Sequence, residues 1–232
     1  MRNEIHTGLE TSLPEVPNNR EISESDLSSF KESNEFWNKL NESFVFEDLS
    51  NCSEEKLLQK EFLKNDVFQV GDKIYYTDDH GKIYRVNDNL KSNNEYDING
   101  YHYKTDNQSR IISAEGKLHI KNRDERLPIK DSMETIGKGD QQSGDDRGHL
   151  IGDQFDGSNG LENMIPQNSD INRVDFKNFE NELAKEVKIG NDVYYSIEPL
   201  YDEDSKRPNA LIVSYSINGV EGIKVFPNNP KE

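Results

Sequence analysis

The sequence GDDRGHLIGDQF runs from Gly144 to Phe155 and sets one histidine, His149, between charged and apolar neighbours. Two aspartates and an arginine come just before the histidine, and Leu150 and Ile151 follow it. An apolar pair in so polar a stretch is typical of a buried anchor. We therefore expect Leu150 and Ile151 to fix the backbone beside His149 and so to orient its imidazole.

The residues around and after this stretch predict a strand, a loop, a second strand and a helix between positions 146 and 187. The second strand is LENMIPQN, positions 161–168, and we expect it to end at Pro166 because proline cannot donate to a sheet ladder. The helix is indicated by apolar residues at helical spacing and by a capping residue before them. These are Ile171, Phe176, Phe179, Leu183 and Val187, with Ser169 or Asp170 as the cap.

The polar residues on this framework favour a hard metal ion over zinc. They are one imidazole, several amides and a carboxylate, whereas structural zinc uses about four N or S ligands. Mg²⁺ prefers oxygen ligands and keeps part of its water. Asn172 and Glu180 are eight positions apart, which in an α-helix means ~12 Å of rise and a rotation of ~80°. We therefore expect Asn172 to bind the ion directly and Glu180 to reach it through water.

An imidazole beside such an ion favours phosphodiester hydrolysis. The reaction needs a base that deprotonates water, and neutral His149 suits this role near pH 7. Arg147 is permanently charged and can hold a phosphate by two hydrogen bonds. Each residue alone has an ordinary interpretation, such as a surface ion pair or a solvated helix carboxylate. Their spacing taken together favours a site for metal-assisted cleavage.

Three elements of the sequence resemble the DNA/RNA non-specific endonucleases, a family of ββα-metal (His-Me finger) nucleases. They are DRGH at Asp146–His149, NGLENMIPQNSDIN at Asn159–Asn172, and Glu180 at its distance from Asn172. The variant DRGHLIGDQF…NMIPQ is most similar to nuclease domains at the C-termini of bacterial polymorphic toxins, including nuclease toxins of type VII secretion. The resemblance covers about 101–226. It implies an α+β fold with a ββα-metal core on an antiparallel sheet.

The resemblance assigns a role to each motif residue. It implies that His149 is the general base, that Asn172 binds Mg²⁺ directly, with Mn²⁺ as an alternative ion, and that Glu180 holds the waters of the ion. The remaining implied roles are a phosphate or charge contact for Arg147, positioning of substrate or of His149 for Asn163, substrate contacts for Asn159 and Arg173, and outer support for Asp146.

The family pattern also contains arginines that this chain does not match one for one. An arginine often follows the glutamate by one helical turn, but that position is Ala184 here, with Lys185 beside it. Arg173, next to the predicted metal ligand, is the candidate replacement. An arginine upstream of the motif matches either Arg123 or Arg126.

The sequence predicts two regions. Residues 67–232 form the endonuclease domain, with its motif core at 144–188 and with hairpins such as the one around Asp78–Gly81. Tyrosines in these hairpins favour sheet packing over base stacking. Residues 1–66 hold 15 acidic and 7 basic side chains. We interpret them as a linker or docking segment, partly disordered and partly helical, with helices at 25–44 and 53–65.

Composition limits the classes of protein to which this chain can belong. A net charge of −17 argues against passive adhesion to nucleic acid or to anionic membrane. One cysteine, Cys52, excludes disulfides and cysteine-based zinc sites. No apolar run approaches the roughly 20 residues needed to cross a bilayer, and the start of the sequence lacks a signal-peptide core. We expect no membrane insertion, and a non-classical route of secretion or delivery into a target cell.

Together these features predict a Mg²⁺-dependent, sequence-independent endonuclease that cleaves DNA, with RNA as a further substrate. The resemblance implies an antagonistic bacterial toxin domain that an immunity protein neutralises in the cytoplasm of the producing cell. The alternative is a catalytically inactive acidic module that binds a basic partner or mimics nucleic acid, which a net charge of −17 would suit.

Overall fold

The computed structural model describes residues 53–60 and 62–229, and all structural statements below concern these residues. The helix predicted at 25–44 and Cys52 lie outside them. The described chain contains two antiparallel sheets and a separate two-stranded hairpin that leads into the longest helix. The two-stranded hairpin and the helix after it position the predicted site.

The first sheet has four strands and follows a short helix. The elements are α1 Glu54–Leu57, β1 Val67–Val70, β2 Lys73–Thr77, β3 Ile83–Val86 and β4 Asn89–Leu90. The strands lie side by side in chain order and each pair is antiparallel. The predicted turn at Asp78–Gly81 does connect two strands, β2 and β3.

The second sheet has six strands. They are β5 Glu95–Ile98, β6 Tyr101–Thr105, β7 Ile111–Lys117, β10 Val193–Tyr201, β11 Pro208–Ile217 and β12 Val220–Pro227. Their spatial order is β12-β11-β10-β7-β6-β5, with antiparallel pairing throughout. The chain therefore leaves this sheet after β7 and returns to it at β10, and the predicted motif lies in the excursion.

The excursion has the predicted strand–strand–helix order. Its elements are α2 Met133–Gly137, β8 Asp145–His149, β9 Met164–Asn168 and α3 Lys177–Lys188, with 3₁₀ turns at Asp153–Phe155 and Leu161–Asn163. Strands β8 and β9 are antiparallel, and His149 lies opposite Met164. The α+β class and the ββα core are thereby confirmed.

Strand β9 does not end at Pro166, so that prediction is wrong. Pro166 lies inside the strand, opposite Arg147, and the strand continues to Asn168. Within the described residues β9 pairs only with β8, and a strand with an open edge tolerates the missing N–H of proline. The carbonyl of Pro166 accepts a hydrogen bond from Nδ2 of Asn228 at 3.0 Å.

The helix after β9 begins differently from the prediction. Asn168, and not Ser169 or Asp170, caps it, because Oδ1 of Asn168 accepts from the N–H groups of Asp170 and Ile171 at 3.1 and 3.3 Å. Residues 171–176 then form a π-helical turn before α3. Bonds from i to i+5 put more residues in each turn, so each residue rotates less than in an α-helix. Asn172 and Glu180 therefore lie closer to one face than a uniform α-helix allows.

The helix predicted at 53–65 is much shorter than expected. Only Glu54–Leu57 is helical, because the chain turns back onto the β2–β3 hairpin. The N–H of Phe62 donates to the carbonyl of Gly81 at 2.8 Å, and that of Asn65 donates to Asp78 at 3.0 Å. A Cβ at Gly81, where φ is +77°, would lie 2.1 Å from the carbonyl oxygen of Phe62. Glycine alone permits this approach.

The core fixes the helix that carries the predicted metal residues. The rings of Phe176 and Phe179 pack on Phe226 of β12, with centroids 5.1 and 5.6 Å apart. The hairpin tyrosines pack in the interior, as predicted, and only Tyr76 among them stays partly exposed. The buried ones are Tyr75, Tyr84, Tyr101 and Tyr103, together with Tyr96 and Tyr195.

Candidate active site

A cleft of about 350 Å³ lies between the end of β8, the turn after it and the helix that begins at Ile171. Four residues predicted from the sequence line it, namely His149, Asn172, Arg173 and Glu180. The other predicted residues do not line the cleft: Asp146, Arg147, Asn159 and Asn163. The predicted site therefore separates into a group that faces the cleft and a group that lies behind it.

His149 is held in one orientation. Leu150 and Ile151 are 0 and 1% exposed and form the predicted anchor. Nε2 of His149 lies 2.9 Å from Oδ1 of Asn159. A carbonyl oxygen only accepts, so Nε2 carries the proton and Nδ1 keeps its lone pair. Burial lowers the pKa of His149 against the opposing effect of this hydrogen bond, and the charge of Arg126 lowers it further. His149 is therefore neutral near pH 7.

Asn172 is oriented by a carboxylate behind the cleft. Its Nδ2 donates to Oδ2 of Asp146 at 3.0 Å. Arg173 donates to the same carboxylate from Nε and Nη2, at 2.8 and 2.6 Å. Asp146 thus forms hydrogen bonds with both neighbours. None of the described residues donates a hydrogen bond to Oδ1 of Asn172, so that oxygen is available to a cation.

Glu180 lies against the backbone of Gly152. The N–H of Gly152 donates to its carboxyl group, and a Cβ at Gly152 would come within 2.3 Å of Oε1. Burial raises the pKa of Glu180 to about 8, although this hydrogen bond and the charge of Arg126 oppose the rise. A carboxyl with so high a pKa lacks a sufficient cationic partner, and a bound cation would favour its ionised form.

The cleft fits a hydrated hard cation better than a metal bound mainly by side chains. Among the described residues, no group of three or more His, Cys, Asp or Glu side chains could hold a metal ion. The cleft instead offers the free amide oxygen of Asn172 and the carboxyl of Glu180. Amide and carboxylate oxygens with retained water are the environment that Mg²⁺ prefers. The donor set therefore matches the predicted ion, with few protein ligands.

The structure distinguishes between the upstream arginines. Arg126 lines the cleft, and no other described side chain forms a hydrogen bond or ion pair with it. Arg123 is bound to Asp153, with Nη2 2.8 Å from Oδ1. Arg147 donates from Nη1 to the carbonyl of Asp131 at 3.0 Å and does not line the cleft. Ala184 is buried and lies outside the cleft.

The two predicted asparagines of the loop are structural in their contacts. Asn163 is fully buried, and its side chain accepts from the N–H of Ile151 at 2.9 Å. It also donates to the carbonyls of Ile151 and Ser158, both at 2.8 Å. Asn159 is 4% exposed, and its side chain contacts the ring of His149. Asn163 therefore holds the backbone of Ile151, two positions after the base, and Asn159 holds the ring of the base itself.

Sequence reasoning missed two further residues near the site. Gln167 of β9 is fully buried, and a Cβ at Gly148 would lie 2.2 Å from its Oε1, which explains the glycine beside His149. Asp153 lines the cleft and accepts from Lys121 at 2.7 Å as well as from Arg123. The only local signal was a polar residue inside an apolar strand for Gln167. The partners of Asp153 lie about 30 positions away, so no local pattern indicates them.

Comparison with known proteins agrees with this geometry. A family model described as DNA/RNA non-specific endonuclease matches residues 92–219, which is more than half of the chain. The chain belongs to this family. The predicted enzyme class, an endonuclease acting on nucleic acid, is thereby confirmed, and below we call the chain the nuclease. The match begins after β4 and ends before β12, so the four-stranded sheet and the last strand lie outside it.

Relatives of the nuclease occur in type VII secretion. The Type VII secretion system protein EssD of Staphylococcus aureus strain USA300 is 34% identical over 153 residues, covering 60% of this chain and 24% of EssD. EssD of strain NCTC 8325 / PS 47 gives the same values. The chain therefore spans about a quarter of the length of these relatives.

Within the described residues, no helix has the length and apolar character needed to cross a membrane.

Solved structures give a more distant likeness. The crystal structure of NucA from Streptococcus agalactiae with magnesium ion bound has 18% identity and a TM-score of 0.43, covering 78% of this chain and 92% of NucA. The same protein with no metal bound has 18% identity and a TM-score of 0.42, covering 71% and 83%. The family assignment rests on the sequence match and not on these likenesses.

Proposed function

We propose that the nuclease is a Mg²⁺-dependent, sequence-independent endonuclease that hydrolyses phosphodiester bonds of DNA, with RNA as a further substrate. The observation that carries the proposal is the composition of one cleft. A neutral base, His149, lies there with a free amide oxygen on Asn172, a carboxyl on Glu180 and an unpaired cation on Arg126. These are the groups that metal-assisted hydrolysis of a phosphodiester requires.

His149 removes a proton from the attacking water. Its Nε2 is engaged by Asn159, so Nδ1 is the nitrogen that accepts the proton. The lowered pKa keeps Nδ1 unprotonated near pH 7, and bases of this kind contribute typically ~10²–10⁴-fold. The hydroxide that forms attacks phosphorus as the ester bond to the sugar oxygen breaks, and the leaving sugar oxygen takes up a proton from solvent. His149 returns its proton to solvent before the next turnover.

Arg126 and Arg173 bind the phosphate. Arg126 has no competing partner among the described side chains, whereas Arg173 shares its charge with Asp146. A guanidinium group can bind a phosphate through two donors. Contacts of this kind recognise the backbone of nucleic acid and not base edges, which supports the absence of sequence preference.

Asn172 and Glu180 are the residues that would hold the metal ion. Asn172 would bind it through Oδ1, because Asp146 already engages its Nδ2. Glu180 would order water around it from its place against Gly152. When bound, Mg²⁺ supplies positive charge that stabilises the pentavalent phosphate and the leaving oxygen. Mn²⁺ has similar ligand preferences and is the alternative ion.

Plasmid cleavage tests this proposal. We expect the wild-type nuclease to convert supercoiled DNA to linear and shorter forms with Mg²⁺, and to be inactive with EDTA. His149→Ala should lose at least about 10²-fold, the lower range of base catalysis. The absence of wild-type cleavage over a range of metal and salt concentrations would support the inactive acidic module instead. Cleavage that survives His149→Ala would contradict the role of the base. A parallel RNA substrate measures sugar preference.

We further propose that the nuclease is an antagonistic toxin delivered by type VII secretion and neutralised by an immunity protein. The support is its similarity to EssD over 153 residues. Expression in a bacterial host should reduce viability for the wild type and not for His149→Ala. An immunity partner should restore viability and block cleavage in vitro at equimolar concentration. Toxicity that persists in His149→Ala would separate the toxic effect from the nuclease.

Residues 1–66 are proposed to link or dock the nuclease rather than to catalyse. The contacts of Phe62 and Asn65 with the β2–β3 turn make 1–52 the better segment to delete. The protein without 1–52 should keep plasmid cleavage within about twofold, whereas removal of 1–66 should also lower its unfolding temperature. Loss of folded protein on deletion of 1–52 would contradict a separable segment.

A further inference from the structure

A buried ion pair joins the four-stranded sheet to Asp131, which lies in the loop just before α2. Arg85 of β3 donates from Nη1 and Nη2 to the two carboxylate oxygens of Asp131, at 2.8 and 2.6 Å. The two residues are only 4 and 8% exposed. The desolvation of both charges offsets much of their attraction, so such a pair is better explained by the conformation it fixes than by the stability it adds.

Asp131 is also bonded to the segment that contains Asn159. The N–H of Leu161 donates to Oδ2 of Asp131 at 2.6 Å. The N–H of the adjacent Lys130 donates to the carbonyl of Asn159 at 3.0 Å. Asn159 in turn engages Nε2 of His149. A continuous series of short contacts therefore leads from Arg85 to the ring of the base.

The same residue restrains the strand that carries the base. The carbonyl oxygen of Asp131 accepts from Nη1 of Arg147, two positions before His149 on β8. Asp131 thus contacts the structure on both sides of His149, through Leu161 on one side and Arg147 on the other. Arg85 fixes Asp131 from a strand that precedes the part of the chain matched by the family model.

We propose that Arg85 and Asp131 are positioning residues of the nuclease, whose ion pair places Asn159 so that Nε2 of His149 keeps the proton and Nδ1 stays free. The proposal rests on the proposed role of His149 as the base. It makes the four-stranded sheet part of the catalytic unit. It also predicts that a substitution at Arg85, about three contacts away from the cleft, changes which nitrogen of His149 carries the proton.

The first test measures by NMR which ring nitrogen of His149 carries the proton, and it does not depend on nuclease activity. In ¹⁵N-histidine-labelled protein, the His149 signals, assigned with His149→Gln, should report a single Nε2–H tautomer in the wild type. Asn159→Ala, Asp131→Asn and Arg85→Gln should each give a mixture of tautomers. Asn at position 131 still accepts from the N–H of Leu161, so this variant removes mainly the charge. Arg85→Lys keeps a cation and should restore part of the wild-type signal.

A matched control separates positioning from general loosening. Arg110 forms a comparable ion pair with Asp106 at 2.7 Å, at the turn between β6 and β7. Arg110→Gln should lower the unfolding temperature without changing the His149 tautomer. If Arg85→Gln or Asp131→Asn fails to fold, the double variant Arg85→Gln/Asp131→Asn serves in their place. It removes both charges of the pair together, and Glu162, 3.9 Å from Arg85, keeps its hydrogen bond from Ser158.

The second test measures turnover. Each positioning variant should lower kcat by about 10–100-fold, the range for residues that orient a catalytic group, with KM within about twofold. The double variant Asp131→Asn/Asn159→Ala should lose no more than the more damaging single change, because both act on the same contact. Folded variants that keep the wild-type tautomer and kcat would overturn the proposal, as would an equal tautomer change in Arg110→Gln. Tautomer changes without any wild-type cleavage would support the positioning role and refute the nuclease function.

Discussion

Oδ1 of Asn159 lies 2.9 Å from Nε2 of His149, and this contact leaves Nδ1 as the nitrogen that accepts a proton. Asn159 is 4% exposed and does not line the cleft that His149 lines. The family resemblance implies a substrate contact for Asn159, and the two roles give different kinetics.

Asn159→Ala is expected to lower kcat by about 10–100-fold on duplex DNA with little change in KM, because the ring loses its orientation and not its substrate. Asn159→Asp keeps an acceptor and should retain more activity. Steady-state kinetics with both variants decide the question. A raised KM with an unchanged kcat would point to substrate binding.

The rate of cleavage should rise with pH through a midpoint below 6.5. Burial lowers the pKa of His149 from its ordinary value of 6.5, and the base acts only when unprotonated. Activity is therefore lost as pH falls through the lowered pKa and is constant above it until another group titrates. The pH profile of kcat/KM at saturating Mg²⁺, which keeps Glu180 ionised, measures this midpoint. A midpoint above 6.5 would indicate that the base is stabilised in its charged form, against the burial seen here.

Arg126 should matter more for cleavage than Arg147. Arg126 lines the cleft and Arg147 donates to the carbonyl of Asp131. Arg126→Ala removes a phosphate contact worth roughly 1.5–3 kcal/mol for a hydrogen bond to a charged group, which is about 10–100-fold in kcat/KM. It should also lower the slope of log K for DNA binding against log salt concentration by about 1, the value for one phosphate contact. Equal losses for Arg126→Ala and Arg147→Ala in salt-dependent binding would contradict this placement.

Metal binding should release a proton at neutral pH. The pKa of Glu180 is raised to about 8 without metal, so its carboxyl is largely protonated at pH 7, and a cation favours the ionised form. Affinity for Mg²⁺ should therefore increase as pH rises from about 6 to 8. Calorimetry in buffers of different ionisation enthalpy counts the released protons. Glu180→Gln, which cannot ionise, should weaken binding and remove the pH dependence. Equal proton release in Glu180→Gln would assign the proton to another group.

The ββα core and the three central residues could be predicted because their signals are local. The stripe of Phe176, Phe179 and Leu183 follows helical spacing, and Asn172 and Glu180 lie on the side of that helix that faces the cleft. The apolar pair after His149 marks a buried anchor, as found. Periodicity and short motifs depend on neighbours within a few positions, which a sequence displays directly.

The supporting residues could not be predicted because their partners are distant in the chain. Asp131 meets Arg85 across 46 positions. The choice of Arg126 over Arg123 depends on Asp153, which engages Arg123 across 30 positions. The π-helical turn at 171–176 has no simple sequence signal, yet it changes the relation between Asn172 and Glu180. Sheet order and long-range pairing decide these features, and neither is written in local periodicity.

Asn228, beyond the part matched by the family model, should stabilise the nuclease. It is fully buried, donates to the carbonyls of Pro166 and Pro208 at 3.0 and 2.8 Å, and accepts from the N–H of Asn168 at 2.8 Å. Asn228→Ala leaves these backbone groups unpaired, at about 1–3 kcal/mol for a buried group that loses its partner. For a domain of this size, each kcal/mol lowers the unfolding temperature by roughly 2–4 °C.

The cleft should remain active in this variant at low temperature, because Asn228 contacts the backbone of β9 and not the groups that line the cleft. Thermal unfolding together with kcat at 10–15 °C below the unfolding temperature measures both effects. Asn209→Ala is the matched control, since its half-buried side chain donates among the described residues only to Asp202, at 2.6 Å. An unfolding temperature equal to that of the control would show that β9 is held by its pairing with β8 alone. A loss of kcat in folded Asn228→Ala would instead show that Asn228, near the C-terminal end of the domain, also helps to position His149.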